Sequence, residues 1–418
     1  MYTVGHKVET IMHHSILIIG GGAGGIAAAS SLLKRNKSLD IAIVEPNDDH
    51  FYQPGWTMVG GGIFHAQQTV RPTHSVMPSR VKHIKAAVAS FDPDSNSVTL
   101  QDGRSVTYDY MVASPGLKLN WAGIKGLEAT LGKNGVTSNY RFDLAPYTWK
   151  LVQQTKAGKA IFTQPPMPIK CAGAPQKAMY LSCSEWEKQG ALKNVDVEFC
   201  NAGPSLFGVA DYVPPLMEYV NRYGAKLTMN SKLIKVDGDT KIATFEGTDA
   251  DGNRTTVDKK FDMLHVVPPQ TGHDFVVGSP IANDAGWIDV DQYTLQHTKY
   301  KNIFGMGDAC STANAKTAAA ARKQAPIVAA NLLRVMNGQD PVYHYDGYGS
   351  CPLTVENGKV ILAEFGYGGK IIPSFPWDST KPRKLAWVLK AGLLPWMYWN
   401  AMLKGREWLV APKTAPKA

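Results

Sequence analysis

The chain has 418 residues, of which 44% are hydrophobic and 19% charged, as expected for a globular protein of two or more domains. Its net charge is +9, but +7 lies from Lys381 onward, where eight Lys or Arg accompany one acid, Glu407. The rest is nearly neutral and shows no basic stripe with interleaved aromatics, which argues against a nucleic-acid partner.

The N-terminal region begins with a βαβ unit that predicts dinucleotide binding. The apolar strand Ser15-Ile-Leu-Ile-Ile runs into the turn Gly20-Gly-Gly22-Ala23-Gly24-Gly25, and an Ala-rich helix follows. This spacing lets the backbone approach a pyrophosphate at the helix N-terminus. Glu45 lies 20 residues after Gly25, at the end of the second strand, where an acid takes ribose hydroxyls.

A second α/β block opens with a similar strand, Ala160-Ile-Phe-Thr-Gln, but lacks the glycine turn. The chain continues as Pro165-Pro-Met-Pro-Ile-Lys-Cys171, and prolines keep the backbone from cradling a pyrophosphate. We therefore expect a single bound dinucleotide and a second domain that has lost its nucleotide site. Further predicted elements are a hairpin over 98–113, a strand over 195–200, a helix over 213–223, strands over 225–236, 241–246 and 261–267, and a helix over about 316–336.

The segment Thr298-Lys-Tyr-Lys-Asn-Ile-Phe-Gly-Met-Gly-Asp308 ends a strand with an acid. It resembles the second fingerprint of the flavoproteins with two dinucleotide-binding domains. The resemblance implies that Asp308 binds the ribityl chain of FAD. The next helix, beginning near Lys316, would stabilise negative charge on the reduced flavin. The alternatives are a helix cap for Asp308 and a solvated surface side chain for Lys316.

The cysteine and histidine pattern predicts no metal site and no disulfide scaffold. The five cysteines lack Cys-x-x-Cys spacing, and the histidines are scattered. Cys171 and Cys351 stand beside Pro, Gly or Ser in non-periodic segments, which indicates exposed loops, and Lys170 would favour the Cys171 thiolate. Two unrelated buried thiols are the alternative. The remaining cysteines are expected to pack as small hydrophobic residues: Cys183, Cys200 and Cys310.

Two cysteine segments carry a narrower resemblance. They are Ile169-Lys-Cys171-Ala-Gly-Ala-Pro-Gln-Lys177-Ala-Met-Tyr-Leu and Tyr345-Asp-Gly-Tyr-Gly-Ser-Cys351-Pro-Leu. Both are similar to segments of the sulfide:quinone oxidoreductases, most closely the mitochondrial-type subgroup. The similarity continues through His50-Phe-Tyr-Gln53-Pro and Leu394-Pro-Trp-Met-Tyr-Trp-Asn. No cysteine precedes Cys171, so the chain supports a relay of two cysteines.

This resemblance implies that HS⁻ attacks a Cys171–Cys351 disulfide, leaving a persulfide on Cys351 and a thiolate on Cys171 facing the flavin. Electrons would pass through FAD to a membrane quinone, and a thiol, sulfite or sulfide would accept the sulfane sulfur. A homo-oligomer is left open. The implied FAD-binding residues are the glycine turn and Glu45 with Gln53, Val88, Gly116, Lys177, Asp308 and Lys316.

Neighbouring families supply two rival functions. A single-subunit NADH:quinone oxidoreductase would need a glycine fingerprint near 164–170, where prolines stand. The flavoprotein subunit of a sulfide:cytochrome c dehydrogenase would share the cysteine pair but would not need a basic tail. A membrane-bound redox sensor would keep the fold without the catalysis.

The C-terminal segment predicts contact with a membrane surface. Five of the ten tryptophans follow residue 376, and thirteen uncharged residues separate Lys390 from Lys404. Pro395 should divide this stretch into two short helices. Aromatic and basic side chains favour the bilayer interface, so we expect a monotopic protein on a bacterial cytoplasmic or mitochondrial inner membrane. The alternatives are a tail packed on its own domain and a dimer interface.

Together these features predict an α/β fold with two Rossmann-like domains, the first of which binds FAD and is interrupted by the second. The expected ranges are 1–150 and 293–345 for the FAD domain, 151–292 for the degenerate nucleotide domain, and 346–418 for a C-terminal segment with Cys351 and an amphipathic, membrane-contacting tail.

Overall fold

The computed structural model describes residues 12–248 and 251–414, which form an α/β protein with two largely parallel sheets. The strands are β1 Met12–Ile19, β2 Ile41–Val44, β3 Asp49–Phe51, β4 Val70–Pro72, β5 Lys82–Ile84, β6 Val88–Asp92, β7 Ser97–Leu100, β8 Ser105–Ala113, β9 Lys118–Leu119, β10 Val136–Thr137, β11 Gly158–Gln164, β12 Val195–Asn201, β13 Lys226–Thr228, β14 Lys232–Asp237, β15 Ile242–Thr248, β16 Arg254–Lys260, β17 Met263–His265, β18 Gln270–Thr271, β19 Ile303–Gly305, β20 Gly349–Glu356 and β21 Lys359–Phe365. The helices are α1 Ala23–Arg35, α2 Trp56–Gly60, α3 Thr73–Val76, α4 Leu127–Thr130, α5 Ala145–Gln154, α6 Ala174–Lys188, α7 Val213–Arg222, α8 Ala318–Met336, α9 Lys384–Val388 and α10 Leu394–Asn400.

The first sheet has the strand order β5-β2-β1-β8-β7-β6, and β19 pairs with β8. The β1, β2, β5, β8 and β19 pairings are parallel, whereas β7 joins β8 in the predicted antiparallel hairpin. Helices α1 and α8 contribute Leu32 and Leu332 to one apolar cluster with Ile16 of β1. Because β19 and α8 follow the second sheet in the chain, the first domain is interrupted, as predicted.

The second sheet has the parallel order β10-β17-β11-β12-β13, and β14, β15 and β16 form an antiparallel sheet beside it. Strand β12 and helix α7 confirm the predictions for 195–200 and 213–223. Strand β10 precedes residue 151, so this sheet takes residues from before the predicted boundary. Strand β16 was not predicted, because its largely exposed, polar residues show no apolar alternation.

The hairpin of β20 and β21 packs on the second domain. Cys351, Leu353 and Ile361 belong to the same apolar cluster as Phe162 of β11 and Met179 of α6. The expectation that Cys351 lies in an exposed loop is therefore wrong, because it is a buried strand residue. Its neighbours Gly, Ser and Pro suggested a loop, although the strand tolerates them.

The C-terminal segment is helical from Lys384 to Asn400, with a π-helical turn over Leu389–Leu393 between α9 and α10. Pro395 does not divide it as predicted, since the backbone stays helical on both sides of it and the π-helical turn lies directly before α10. Tyr398 and Trp399 are buried in the cluster around α1 and α8, so one face of the tail packs on its own domain. No helix in the described ranges is long and apolar enough to cross a bilayer.

Candidate active site

The predicted dinucleotide turn is compact on one side and open on the other. A Cβ at Gly25 would lie 1.9 Å from the carbonyl oxygen of Gly20, and one at Gly24 would lie 2.3 Å from Ser114 Oγ. A Cβ at Gly22 would meet no atom within 4 Å. Gly22 precedes Ala23, the first residue of α1. A pyrophosphate can therefore approach the turn and the helix N-terminus.

Glu45 lies next to this turn, directly after β2. Its Oε2 accepts a hydrogen bond of 2.8 Å from the backbone N–H of Gly21. Gly116, after β8, has φ +76°, and a Cβ there would also face open space. The structure thus brings Glu45 to the glycine turn and leaves room beside Gly116, an arrangement that fits an extended dinucleotide.

Asp308 and Lys316 lie where β19 leads toward α8. Burial raises the pKa of the Asp308 carboxyl group, against the opposing charges of Lys316 and Lys170. Lys316 is only 7% exposed, so the alternative of a solvated surface lysine is wrong. Its Nζ donates hydrogen bonds to the carbonyl oxygens of Asp308 (2.9 Å) and Cys310 (2.8 Å) and lies 4.2 Å from the centre of the Trp287 ring.

The other predicted cofactor residues occupy different surroundings. Gln53 Oε1 accepts a hydrogen bond of 2.5 Å from Lys170 Nζ, which places Gln53 beside the Cys171 segment. Val88 begins β6 and is buried in an apolar cluster with Val44 and Ile84. Of these two residues, Gln53 has the polar contact that links the cofactor region to the Cys171 segment.

The two predicted redox cysteines meet although 180 residues separate them in the chain. Cys171 Sγ and Cys351 Sγ are 3.4 Å apart, and both are free thiols in this structure. Cys171 lies between β11 and α6 at φ +49°, and its N–H donates to the Lys316 carbonyl oxygen (2.8 Å). A Cβ at Gly173 would lie 2.5 Å from Cys351 Sγ, so this glycine admits the second sulfur.

Lys177, which was predicted as a cofactor-binding residue, lies in the first turn of α6 and is the cation beside the sulfur atoms. Its Nζ lies 3.1 Å from Cys171 Sγ and 3.8 Å from Cys351 Sγ, and the residue is 2% exposed. The hydrogen bond from Cys351 lowers the pKa of Cys171 well below the usual range. Burial opposes this shift, and the charges of Lys177 and Lys390 reinforce it. The same hydrogen bond, with burial, raises the pKa of Cys351.

Lys170, which the sequence suggested as the partner of the Cys171 thiolate, does not fill that position. Its amine bonds Gln53 and lies over the rings of Trp56 (5.4 Å) and Tyr140 (5.6 Å). Adjacency in sequence was misleading, because the Lys170 amine bonds Gln53 and not the Cys171 sulfur. Lys177, one helical turn into α6, provides the charge instead.

Lys390 was missed as a site residue. It is 3% exposed, its Nζ donates to the Pro54 carbonyl oxygen (3.3 Å), and burial and repulsion by Lys177 lower its pKa to about 7. In the sequence it looks like a basic residue flanking an apolar stretch. The one signal that could have marked Lys390 as a site residue was its position between two helical segments that bury aromatic residues.

The remaining cysteines are fully buried, as predicted. Cys183, Cys200 and Cys310 have no exposed surface, and burial raises the pKa of each thiol, to about 12 for Cys200 and Cys310. In the described part of the chain, no three His, Cys, Asp or Glu residues are grouped so that they could hold a metal ion.

Comparisons with known proteins identify several related chains. Residues 14–152 match the family model "Pyridine nucleotide-disulphide oxidoreductase". The mitochondrial sulfide:quinone oxidoreductase of Dictyostelium discoideum is 43% identical over 374 residues, covering 89% of this chain and 81% of that protein. The mouse protein of the same name is 41% identical, covering 88% and 81%. The solved sulfide:quinone oxidoreductase of Aquifex aeolicus superposes with a TM-score of 0.77 at 23% identity, covering 95% and 92% of the two chains.

Proposed function

The chain belongs to the sulfide:quinone oxidoreductase family, and we propose that Cys171 and Cys351 are the pair through which it oxidises sulfide and delivers electrons to quinone. The observation that carries this assignment is the 3.4 Å approach of the two sulfur atoms beside the buried Lys177. The alternative function, that of a single-subunit NADH:quinone oxidoreductase, lacks support. Pro165 and Pro166 follow β11, where that function would need a glycine turn.

Sulfide oxidation begins from the oxidised pair. HS⁻ attacks one sulfur of a Cys171–Cys351 disulfide, the S–S bond breaks, and the products are a persulfide and a thiolate. Cys171 is the better thiolate of the two, since its pKa is lowered and that of Cys351 is raised. Lys177 Nζ also lies closer to Cys171 Sγ (3.1 Å) than to Cys351 Sγ (3.8 Å), so the ammonium group favours the thiolate on Cys171 and the persulfide on Cys351. A thiol, sulfite or sulfide then removes the sulfane sulfur, and the two cysteines lose two electrons when they pair again.

The cofactor is FAD, and the described residues fit it. The Gly20–Gly25 turn and Glu45 would hold the pyrophosphate and ribose, while Asp308 lies after β19 to take the ribityl hydroxyls. When bound, FAD accepts the two electrons from the cysteine pair and passes them to quinone. The contact between Lys316 and the Asp308 carbonyl keeps a positive charge at the start of α8.

The lysines around the sulfur atoms serve the anionic steps. Lys177 donates toward both sulfurs, and Lys390 adds a second positive charge that acts on both. Lys177, and Lys390 in its protonated form, attract HS⁻ and stabilise the thiolate released when the disulfide opens. Since Lys390 comes from the C-terminal segment, the tail forms part of the chemical site.

The exposed face of the tail is proposed to contact a membrane that holds the quinone. Leu385, Val388, Leu393 and Trp396 are 43–61% exposed, although their neighbours Tyr398 and Trp399 are buried. Apolar side chains on one face of a basic helical segment favour the bilayer interface. Both a mitochondrial inner membrane, suggested by the named relatives, and a bacterial cytoplasmic membrane provide such a surface.

Anaerobic stopped-flow absorbance tests the proposed function. Sulfide should bleach the bound flavin rapidly and NADH should not, because only the cysteine pair supplies an electron entry. Cys171→Ser and Cys351→Ser should each lose most of this bleaching. Cys183→Ala, at a buried thiol outside the pair, is the matched control. Fast bleaching by NADH, or normal sulfide turnover in either Ser variant, would refute the assignment.

A further inference from the structure

A shallow cleft lies between the C-terminal tail and helices α1 and α8. Its walls come from three separate parts of the chain, α1, α8 and the tail, and the tail packs over the first domain. The residues used below are Ser31 of α1, Arg322 of α8, and Arg406, Glu407 and Val410 of the tail.

Arg322 and Arg406, the two arginines of this cleft, form no ion pair with an acid in the described ranges. Arg322 donates from Nη2 to the carbonyl oxygen of Trp408, while its enclosed Nε has no hydrogen-bond partner in the described ranges. Glu407, the acid of the cleft, is already paired with Lys34 (3.0 Å) and Arg35 (2.5 Å). Burial lowers the pKa of the Arg322 guanidinium, against an opposing interaction with Tyr348, so an enclosed cation stands here without an ion pair in the described ranges. An anion would remove this imbalance.

The rim of the cleft is apolar and faces water. Trp396 and Trp408 stack with ring centres 5.7 Å apart and are 44% and 49% exposed. Leu409 is 90% exposed and holds φ +59°, a left-handed conformation that is strained for a leucine. A strained backbone that turns a leucine outward, next to two exposed indoles, suits insertion into the acyl boundary of a lipid layer.

We propose that this cleft binds the phosphate of an anionic phospholipid, with Arg322 and Arg406 contacting phosphate oxygens and Leu409 entering the acyl region. The planar guanidinium matches phosphate geometry and is the side chain suited to such a site. Inorganic phosphate shares the recognised chemistry, but the exposed apolar rim selects a lipid. The inference rests on the proposed membrane contact and deepens it from a general attraction to a defined site.

Vesicle binding by the full-length, FAD-loaded protein tests the site. The vesicles are phosphatidylcholine with or without phosphatidylglycerol. Arg406→Gln should weaken binding to the anionic vesicles about tenfold more than Lys404→Gln, which removes the same charge two residues away outside the cleft. Arg322→Lys keeps the charge but loses the planar fork, so it should also weaken binding. Unchanged bleaching by sulfide shows that each variant is folded.

The outcomes separate this site from its alternatives. Equal losses in Arg406→Gln and Lys404→Gln would overturn the site in favour of diffuse charge attraction. Binding of inorganic phosphate without vesicles, abolished by Arg406→Gln and accompanied by unchanged vesicle binding, would overturn the lipid assignment. If the unmodified protein bound no vesicles of either kind, the membrane contact itself would fail.

Discussion

His50 Nε2 lies 2.6 Å from the hydroxyl group of Tyr398, and His50 Nδ1 lies 3.1 Å from the carbonyl oxygen of Gly21. Because a carbonyl only accepts, Nδ1 carries the proton and Nε2 accepts from Tyr398. Burial lowers the pKa of His50 to about 4, which keeps the ring neutral in this arrangement. A tail side chain is therefore joined through one imidazole to the dinucleotide turn.

Tyr398→Phe should destabilise the protein. The substitution leaves the buried Nε2 of His50 without a donor, which costs about 1–3 kcal/mol. Urea unfolding measures the change, and Tyr293→Phe, at a tyrosine that is 44% exposed, is the control. Equal unfolding midpoints for Tyr398→Phe and the unsubstituted protein would show that the hydrogen bond contributes nothing.

His50 also predicts how stability depends on pH. The unfolded chain binds a proton near pH 6.5, whereas the folded pKa is about 4. Between these values the unfolded state holds more protons, so stability falls as pH decreases from 6.5 to 4, by up to about 3 kcal/mol from this residue.

His50→Gln should flatten the fall in stability over this pH range, whereas His65→Gln, at an exposed histidine, should leave it unchanged. The measurement is the free energy of unfolding at several pH values. An equally steep fall in His50→Gln would assign the acid sensitivity to other groups, such as the buried His265.

Lys177→Met should raise the pKa of Cys171, because it removes the ammonium group 3.1 Å from the sulfur. Thiolate formation then requires a higher pH, and the midpoint for alkylation of Cys171 by iodoacetamide should move upward by about 1–3 pH units. Mass spectrometry of the reduced enzyme follows the reaction. Lys390→Met should produce a smaller upward shift, and the exposed Lys404→Met none. A midpoint that stays in place in Lys177→Met would remove this lysine from the site.

The proposed membrane contact is best tested on the exposed side chains of the tail. Removal of residues 381–418 would also remove Lys390 and uncover the core around Tyr398 and Trp399. A combined Val388→Ser, Leu393→Ser and Trp396→Ser variant should lose binding to anionic liposomes while sulfide still bleaches the flavin.

Val257→Ser, at a valine that is 53% exposed on β16, is the matched control for the tail variant. Turnover with a lipid-embedded quinone should fall in the tail variant, and a water-soluble quinone should restore part of it. Full liposome binding by that variant would locate the membrane contact elsewhere.

The sequence predicted features that depend on local pattern. The glycine turn, the strand ending before Asp308 and the burial of Cys183 follow from spacing and periodicity, and the structure shows each of them. It did not predict the role of Lys390, because side-chain direction in the tail depends on packing against a domain hundreds of residues earlier.

The same limit explains the choice between Lys170 and Lys177. Both are near Cys171 in the chain, but the Lys177 amine bonds the sulfur whereas the Lys170 amine bonds Gln53. The placement of Cys351 in a strand was also hidden, since its glycine, serine and proline neighbours are typical of loops.

The contacts of the tail with α1 constrain the order in which the polypeptide can mature. Ser30 Oγ donates to the Leu403 carbonyl oxygen, and Arg35 pairs with Glu407, so α1 is covered by residues that lie 373 and 372 positions later in the chain. During translation, the apolar surface of α1 is not fully covered until α8 and the tail have been synthesised and can pack on it. Lys390 belongs to the same segment, so its charge reaches the cysteine pair only once the tail has packed on the first domain.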